Sequence, residues 1–203
     1  MKSSTPAWNK IEQSFSYQEF FNKVQAEALQ PLPGAISSDD NKLHEYKKLN
    51  LQRMKRIEKT FHVSEELEQT LLSIKYPQLW TIITEGWCGD SAQNLPAIAK
   101  IAKVNLVIKL QIIERDNNLE IMDLYLTNGT RSIPMLISSD TDGNEIFRWG
   151  PRPKEAQQLV NRLKSEGIEH DKFIEQLHLW YAKNKGIALE MEFINLLSTS
   201  VKN

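Results

Sequence analysis

The sequence predicts an α/β fold in which a mixed central sheet is flanked by helices, with extra helices before and after it. Short hydrophobic runs rich in β-branched residues alternate with helical patterns between residues 61 and 165, as expected for strands joined by crossover helices. Longer amphipathic stretches lie outside this region. We therefore expect residues 1–60 to form an N-terminal helical extension that packs on the core, residues 61–165 the central domain, and residues 166–203 a C-terminal helical extension.

The N-terminal extension contains two predicted helices. Ser16 and Glu19 form a candidate capping box, and apolar residues follow them at helical spacing. Residues 31–34, which include two prolines and a glycine, break this helix, and a second helix is predicted over residues 42–59. The residues of the second helix that we expect to face inward are Leu43, Tyr46, Leu49, Met54 and Ile57.

The second helix is also basic. Its cationic residues are Lys47, Lys48, Arg53, Lys55, Arg56 and Lys59. Such a run is either a solvated helix face or an anion-binding patch. We interpret it as a solvated face beside acidic neighbours, because charge runs at this density are common on protein surfaces.

The central region alternates strands and helices. After a helix that begins at Ser64, the predicted strands cover residues 79–84, 104–113, 133–138 and 145–149, and the predicted helices cover 91–103, 118–126 and 153–164. Strands joined by crossovers are expected to be parallel, whereas Asp142 and Gly143 predict a hairpin turn and an antiparallel last strand. After Gly167 the apolar pattern continues as one or two helices to about residue 197.

The most informative segment is Trp87-Cys88-Gly89-Asp90-Ser91, which holds the only cysteine and lies between a predicted strand and a predicted helix. At the start of a helix, unpaired backbone N–H groups and the positive end of the helix dipole stabilise a thiolate. A free cysteine is alternatively a small buried hydrophobic residue. The position of Cys88 favours an exposed, functional thiol.

Further segments occur in an order that resembles the thioredoxin family. The Trp-Cys-Gly start of the helix is followed by Pro96, where thioredoxins carry the proline that kinks this helix. Residues 131–137 resemble the segment with the family's cis-proline, so the resemblance implies a cis peptide bond before Pro134, with Ile133 and Pro134 opposite the cysteine. The matches cover about residues 61–165, which are identified as a thioredoxin-like domain in a single-cysteine member of the family.

The departures from the family pattern are as informative as the matches. Ser91 replaces the second active-site cysteine, Asp90 replaces the proline between the pair, and Ile82 replaces the buried acid. The two-cysteine reduction cycle is therefore absent. The resemblance implies catalytic roles for Cys88 and Ser91, and substrate-binding roles for Trp87, Gly89, Asp90, Arg131, Ile133 and Pro134.

Charged and polar neighbours act on the predicted thiolate in opposite directions. The negative charge of Asp90 opposes thiolate formation, whereas Arg131 favours it if its loop faces Cys88. Ser91 either hydrogen-bonds the thiolate or is a neutral replacement for the lost cysteine. The residues leave both alternatives open for Ser91.

Composition argues against several function classes. A formal net charge of −1 gives no electrostatic footprint for nucleic acid, and no segment of the sequence is apolar enough to span a bilayer. Because residues 1–6 carry no apolar run after the lysine, and because the chain has one cysteine, we expect a cytoplasmic protein. The four histidines are dispersed, so we expect no metal site and no cofactor. Cys-Gly-Asp-Ser is similar to the Cys-Gly-x-Ser of cluster-binding monothiol glutaredoxins, but Trp87 is typical of thioredoxins.

Two functions remain open. In the first, Cys88 performs thiol–disulfide exchange with a low-molecular-weight thiol or with a thiol or disulfide of a client protein, and an external thiol resolves the adduct. Such a protein would be a monothiol thiol–disulfide oxidoreductase. In the second, the protein is a redox-inactive module that binds a protein or peptide beside Trp87, Cys88 and Pro134. The sequence slightly favours exchange, and the pKa and accessibility of Cys88 distinguish the two functions.

Overall fold

The computed structural model describes residues 11–31 and 37–200. Its helices are α1 (Tyr17–Leu29), α2 (Ser38–Thr60), α3 (Glu65–Leu72), α4 (Gly89–Lys103), α5 (Leu119–Met122), α6 (Lys154–Ser165), α7 (His170–Asn184) and α8 (Ile187–Ser200). Its strands are β1 (Gln78–Thr84), β2 (Ile108–Glu114), β3 (Met135–Ser139) and β4 (Glu145–Trp149). Apart from Pro31, the predicted break at residues 31–34 lies outside the described residues.

Local sequence signals set the ends of several helices. At the start of α1 the Ser16 N–H donates to Glu19 Oε2 at 2.7 Å and the Glu19 N–H donates to Ser16 Oγ at 3.3 Å, which confirms the predicted capping box. Ser64 Oγ accepts from the Leu67 N–H at 3.3 Å and caps α3 in the same way. Lys185, with a φ of 54°, ends α7 and separates it from α8.

The four strands form one mixed sheet in the order β2-β1-β3-β4. β1 pairs with β2 in parallel, and β3 pairs with β4 antiparallel, as the sequence predicts. Seven residues of β1 pair with β2, and its residues from Trp80 to Thr84 are all buried. β1 is therefore a central strand of the core, and the cysteine-containing segment follows its carboxyl end.

β3 runs antiparallel to β1, so the expectation that all crossover-joined strands are parallel is wrong for this strand. Thr84 pairs with Glu114 at the end of β2, and Ile83 pairs with Met135 at the start of β3. The chain therefore leaves β2 and enters β3 at the same end of the sheet. The helix between them, α5, has 4 residues and extends about 6 Å, whereas β1 is about 20 Å long. A helix of this length does not return the chain along the sheet, and the chain enters β3 from the end at which it leaves β2.

The buried side of α2 differs from the predicted one. Met54 and Ile57 are buried as expected, but Leu43 is 40% exposed and Leu49 is 43% exposed. Leu49 lies five residues before Met54, which places it about 140° around the helix from the buried stripe. Polar residues occupy part of this stripe, and one of them, Asn50, is buried with its amide donating to Gly86 O at 3.2 Å.

Both helical extensions contribute to the main hydrophobic core. Buried apolar side chains of α1, α2 and α8 belong to the same contiguous cluster as those of the sheet and α4. Phe193 of α8 is fully buried, and its ring centroid lies 5.6 Å from that of Trp80 and 5.9 Å from that of Trp149. From the N-terminal side, the core receives Phe20, Phe21, Val24, Ala28, Leu51, Met54 and Ile57.

For Phe193→Ala we expect the free energy of unfolding to fall by about 3 to 5 kcal/mol, because the substitution removes a fully buried ring and leaves a cavity. Met191→Ala is the matched control, because Met191 lies on the same helix and is 53% exposed. Its expected change is below about 1 kcal/mol. Denaturant unfolding followed by circular dichroism measures both values, and equal losses would contradict the place of α8 in the core.

Candidate functional site

Cys88, Ile133 and Pro134 lie together at the carboxyl end of β1. Cys88 is the N-cap residue of α4, and the peptide bond between Ile133 and Pro134 is cis. The thiol of Cys88 donates a hydrogen bond to Ile133 O, with 3.3 Å between sulfur and oxygen. Only 7% of Cys88 is exposed. The segments that the sequence places opposite each other therefore form one site, but the thiol is buried in it.

The surroundings of Cys88 favour its neutral thiol. A thiol donates to the Ile133 carbonyl only while it keeps its proton, and a thiolate would face the negative end of that carbonyl dipole. Burial, followed by the charge of Asp90, raises the pKa of Cys88 to about 11. Hydrogen bonds from the Ser91 hydroxyl and from backbone N–H groups act against this increase but do not cancel it. At pH 7 the thiolate fraction is on the order of one in 10⁴.

Ser91 is a buried residue with two partners. Its hydroxyl shares a hydrogen bond with the Thr84 hydroxyl, and it also lies within hydrogen-bonding reach of Cys88. A hydroxyl carries one proton, so Ser91 donates to the cysteine sulfur only when it accepts from Thr84. Ser91 therefore connects β1 to the first turn of α4, and its position also permits stabilisation of a thiolate.

Trp87 precedes the thiol and is half-buried against it. The Trp87 ring packs on the cluster that contains Cys88, Ile133 and Tyr125, and the Arg115 guanidinium lies 4.9 Å from the ring centroid. This cation–π contact fixes one face of the indole. The sequence predicts a site role for Trp87 but gives no indication of Arg115.

Arg131 does not supply the cation expected at the thiol. Its Nε and Nη2 donate to the two carboxylate oxygens of Asp123 at 2.6 and 2.9 Å, and both side chains are exposed. Arg131 lowers the pKa of Asp123 through these hydrogen bonds. Its charge is thus directed toward the end of α5 rather than toward Cys88.

A cation that the sequence does not predict, Arg152, is paired with Asp90 and interacts weakly with Cys88. Arg152 Nε donates to Asp90 Oδ2 at 3.0 Å, Arg152 Nη2 donates to the same oxygen, and the Tyr181 hydroxyl donates to Asp90 Oδ1 at 2.6 Å. Asn94 donates to the Tyr181 hydroxyl at 3.1 Å. Asp90, Asn94, Arg152 and Tyr181 are thus joined by hydrogen bonds. Burial acts to lower the pKa of Arg152, but Asp90 and, to a smaller extent, Cys88 raise it.

Gly150 allows the chain after β4 to place Arg152 beside Asp90. Gly150 has a φ of 140°, and a Cβ there would lie 2.2 Å from Pro134 O. The end of β4 therefore packs directly on the segment that faces Cys88, in a conformation that glycine alone adopts without strain. Asp90 and Arg152 are 62 residues apart, so no local pattern indicates their pairing.

Gly89 contacts residues from both extensions. A Cβ at Gly89 would lie 3.1 Å from His178 Cε1 and 3.7 Å from Arg53 Nη1. His178 belongs to α7 and Arg53 to α2. One side of the first turn of α4 is therefore covered by helices that precede and follow the region of family resemblance, which the sequence does not predict.

The described part of the chain contains neither a cluster of metal ligands nor a helix that could span a membrane. Residues 11–31 and 37–200 contain no group of three or more His, Cys, Asp or Glu side chains arranged to hold a metal ion. Within the same ranges, none of the helices combines the length and the apolar character needed to cross a bilayer.

A mixed sheet in the order β2-β1-β3-β4, with a cysteine at the start of a helix and a cis-proline opposite it, defines a thioredoxin-like protein. The family model described as thioredoxin matches residues 36–165, so this chain belongs to the thioredoxin family. That match includes α2 as well as the central region. No curated protein matches the chain.

Two solved structures have the same fold. A protein of unknown function from Pseudomonas aeruginosa, PA1234, is 18% identical with a TM-score of 0.55, and the alignment covers 91% of this chain and 98% of that one. An HIV epitope-scaffold is 17% identical with a TM-score of 0.53, and the alignment covers 91% of this chain and 99% of that one. At these identities the likeness extends to the fold alone.

Asp90→Asn is expected to lower the pKa of Cys88, because it removes a negative charge and leaves the Arg152 cation beside the sulfur. The pH dependence of Cys88 alkylation by iodoacetamide measures this pKa, and the rate at neutral pH should rise by about threefold or more. Asp123→Asn is the matched control, because Asp123 is an exposed carboxylate paired with Arg131. A pKa that stays the same or rises in Asp90→Asn would contradict the role given to Asp90.

Proposed function

We propose that this protein is a thioredoxin-fold binding module that holds an extended segment of a protein partner in the groove beside Trp87, Cys88 and Pro134. The observation that carries this proposal is the state of Cys88, a buried thiol that donates to Ile133 O. A buried, neutral thiol of this kind is better suited to contacting a bound partner than to attacking a disulfide. The absence of a second cysteine from the sequence removes the usual redox cycle as well.

The thiolate fraction decides between binding and catalysis. Exchange rates depend on the fraction of thiolate, which at pH 7 is a few per cent for an ordinary cysteine. With a pKa of about 11, Cys88 has a thiolate fraction lower by about two orders of magnitude. Its low exposure slows attack on a bulky disulfide further.

The backbone at Ile133 supports the recognition of an extended segment. Ile133 is buried, its carbonyl accepts from Cys88, and its N–H has no acceptor among the described residues. An unpaired backbone donor at the edge of a groove is typical of a site that a partner strand completes. Trp87, Gly89 and Arg131 would border the bound segment, whereas both oxygens of Asp90 are already engaged beneath it.

A peptide display experiment tests this function. Peptides selected on the full chain should shift the backbone NMR signals of residues 87–91 and 131–135, because the proposed binding position lies between these two segments. Trp87→Ala should weaken the selected peptides by about tenfold or more, since it removes an aromatic contact surface. Tyr76→Ala is the matched control, because Tyr76 is 82% exposed before β1, at the opposite end of that strand from Cys88. Selected peptides that shift other surfaces only would contradict the proposal.

The second candidate is monothiol exchange in the cytoplasm, and a specific observation favours it. The Ser91 hydroxyl and the backbone N–H groups of Asp90 and Ser91 lower the pKa of Cys88, as groups that stabilise a thiolate do. In this reaction the Cys88 thiolate attacks one sulfur of a disulfide on a low-molecular-weight thiol or client protein. A mixed disulfide forms, the other sulfur leaves as a thiolate, and an external thiol then attacks the mixed disulfide and regenerates Cys88.

Intact-mass spectrometry distinguishes the two candidates. If Cys88 is a neutral recognition group, incubation with an oxidised low-molecular-weight thiol at pH 7 should give no adduct within the time that fully modifies an exposed control thiol. Adduct formation should appear only as the pH approaches the pKa of Cys88, about 11. Rapid formation of a one-to-one adduct at pH 7 that is lost in Cys88→Ser and slowed in Ser91→Ala would instead establish exchange.

A further inference from the structure

Arg53 and Arg56 differ from the other arginines of this protein. The other five, Arg115, Arg131, Arg148, Arg152 and Arg162, each form an ion pair with an aspartate or glutamate. Within the described residues, Arg53 and Arg56 have only neutral hydrogen-bond partners. Arg53 Nη1 donates to Asn50 Oδ1 at 2.8 Å, and Arg56 Nη2 donates to Gln93 Oε1 at 2.7 Å. In this part of the chain, the two cations on α2 therefore form no ion pair with a carboxylate.

The two guanidinium groups are partly buried and repel each other. Burial, followed by the charge of Arg56, lowers the pKa of Arg53. Taking two like charges partly out of water is unfavourable, and the interactions of Arg53 with Tyr46 and Asp90 offset only part of this cost. The carboxylate of Asp90, which interacts electrostatically with Arg53, is already held by Arg152 and Tyr181. We call Arg53 and Arg56 the cationic cluster. Its excess of positive charge is typical of a site that binds an anion.

His178 adds a third donor to the cluster. A guanidinium only donates, so Gln93 accepts from Arg56 through Oε1 and directs its amide N–H toward His178 Nδ1, which lies 3.0 Å away. Nδ1 of His178 is then the acceptor, and the ring proton lies on Nε2. Burial, followed by the charge of Arg53, lowers the pKa of His178 to about 4, so the ring is neutral at pH 7. Nε2 has no acceptor among the described residues.

Donors of His178 and Arg53 lie beside Gly89, and Arg56 is linked to His178 through Gln93. His178 Nε2 lies 3.2 Å, and Arg53 Nη1 lies 3.7 Å, from the point where a Cβ of Gly89 would stand. Since Gly89 follows Cys88 directly, this face adjoins the groove, and the two share the Gly89 backbone but none of the donor side chains. The sequence interpretation of a uniformly solvated basic face therefore does not hold for Arg53 and Arg56.

We propose that Arg53, Arg56 and His178 form a binding site for an oxyanion, a carboxylate or a phosphate group, next to Gly89. Two guanidinium groups and a neutral imidazole N–H offer donors and no acceptor, which is the complement of such a group. The proposal is independent of the function of the groove, because within the described residues none of these three side chains forms a hydrogen bond with Cys88 or Pro134.

NMR titration of the ¹⁵N-labelled full chain tests this site. Inorganic phosphate and succinate are added separately at pH 7, with sodium chloride adjusted to keep the ionic strength constant. We expect saturable shifts of the Gly89 amide and of the His178 ring. Bound anion should also raise the pKa of His178 from about 4, because a nearby negative charge favours the protonated imidazole. The two probes identify the group, phosphate or carboxylate, that the site prefers.

Matched variants distinguish a specific anion-binding site from nonspecific electrostatic attraction. Arg53→Gln and Arg56→Gln should each weaken anion binding by about tenfold or more, which corresponds to loss of a charge-assisted hydrogen bond. Lys55→Gln removes the same charge from an exposed position of the same helix and should leave the affinity within about twofold. If Arg53→Gln does not fold, Arg53→Lys keeps the charge but loses the planar fork, and it should still weaken binding. No saturable shift with either anion, or an equal loss in Lys55→Gln, would overturn the proposal.

Discussion

The carboxylate of Asp90 is the group on which the arrangement of this site depends. A carboxylate loses its hydration when it is buried, and it is stable there only with charged and polar partners in good geometry. Arg152 supplies the charge from the end of β4, and Tyr181 supplies a hydroxyl from α7. The first turn of α4 is thereby attached both to the sheet edge and to the C-terminal extension. Because loss of either partner would leave a buried polar group uncompensated, each of these elements fixes the position of the others.

The same carboxylate influences the chemistry of the thiol. Asp90 adds to the effect of burial in raising the pKa of Cys88, and it also holds the Arg152 cation that would otherwise be free to favour a thiolate. The resemblance to thioredoxins places a proline at position 90 and a cysteine at position 91. Here the proline is replaced by a charge that anchors α7, and the cysteine by a hydroxyl that bonds to Thr84. Both replacements connect α4 to neighbouring elements, Asp90 to α7 and Ser91 to β1.

Local sequence patterns were sufficient for much of the fold. The Ser16–Glu19 capping box, the Ser64 cap and the final strand β4 all follow from short-range chemistry, and the structure has each of them. The direction of β3 does not follow from such patterns, because it depends on where the connection from β2 crosses the sheet. The position of the thiol opposite Ile133 could be predicted from the family resemblance. Its burial and the pairing of Arg152 with Asp90 could not, since they arise from segments distant in sequence.

The extensions explain why the site differs on its two sides. Toward Ile133 and Pro134, the start of α4 faces residues of the central region, and the thiol donates to a backbone carbonyl there. On the other side it faces Arg53 from α2 and His178 from α7, and a side chain at position 89 would press on the His178 ring. A thioredoxin-like core without these helices would expose that side of the helix start to water. The added helices therefore do more than enlarge the core, because they place donors and positive charge directly beside the cysteine segment.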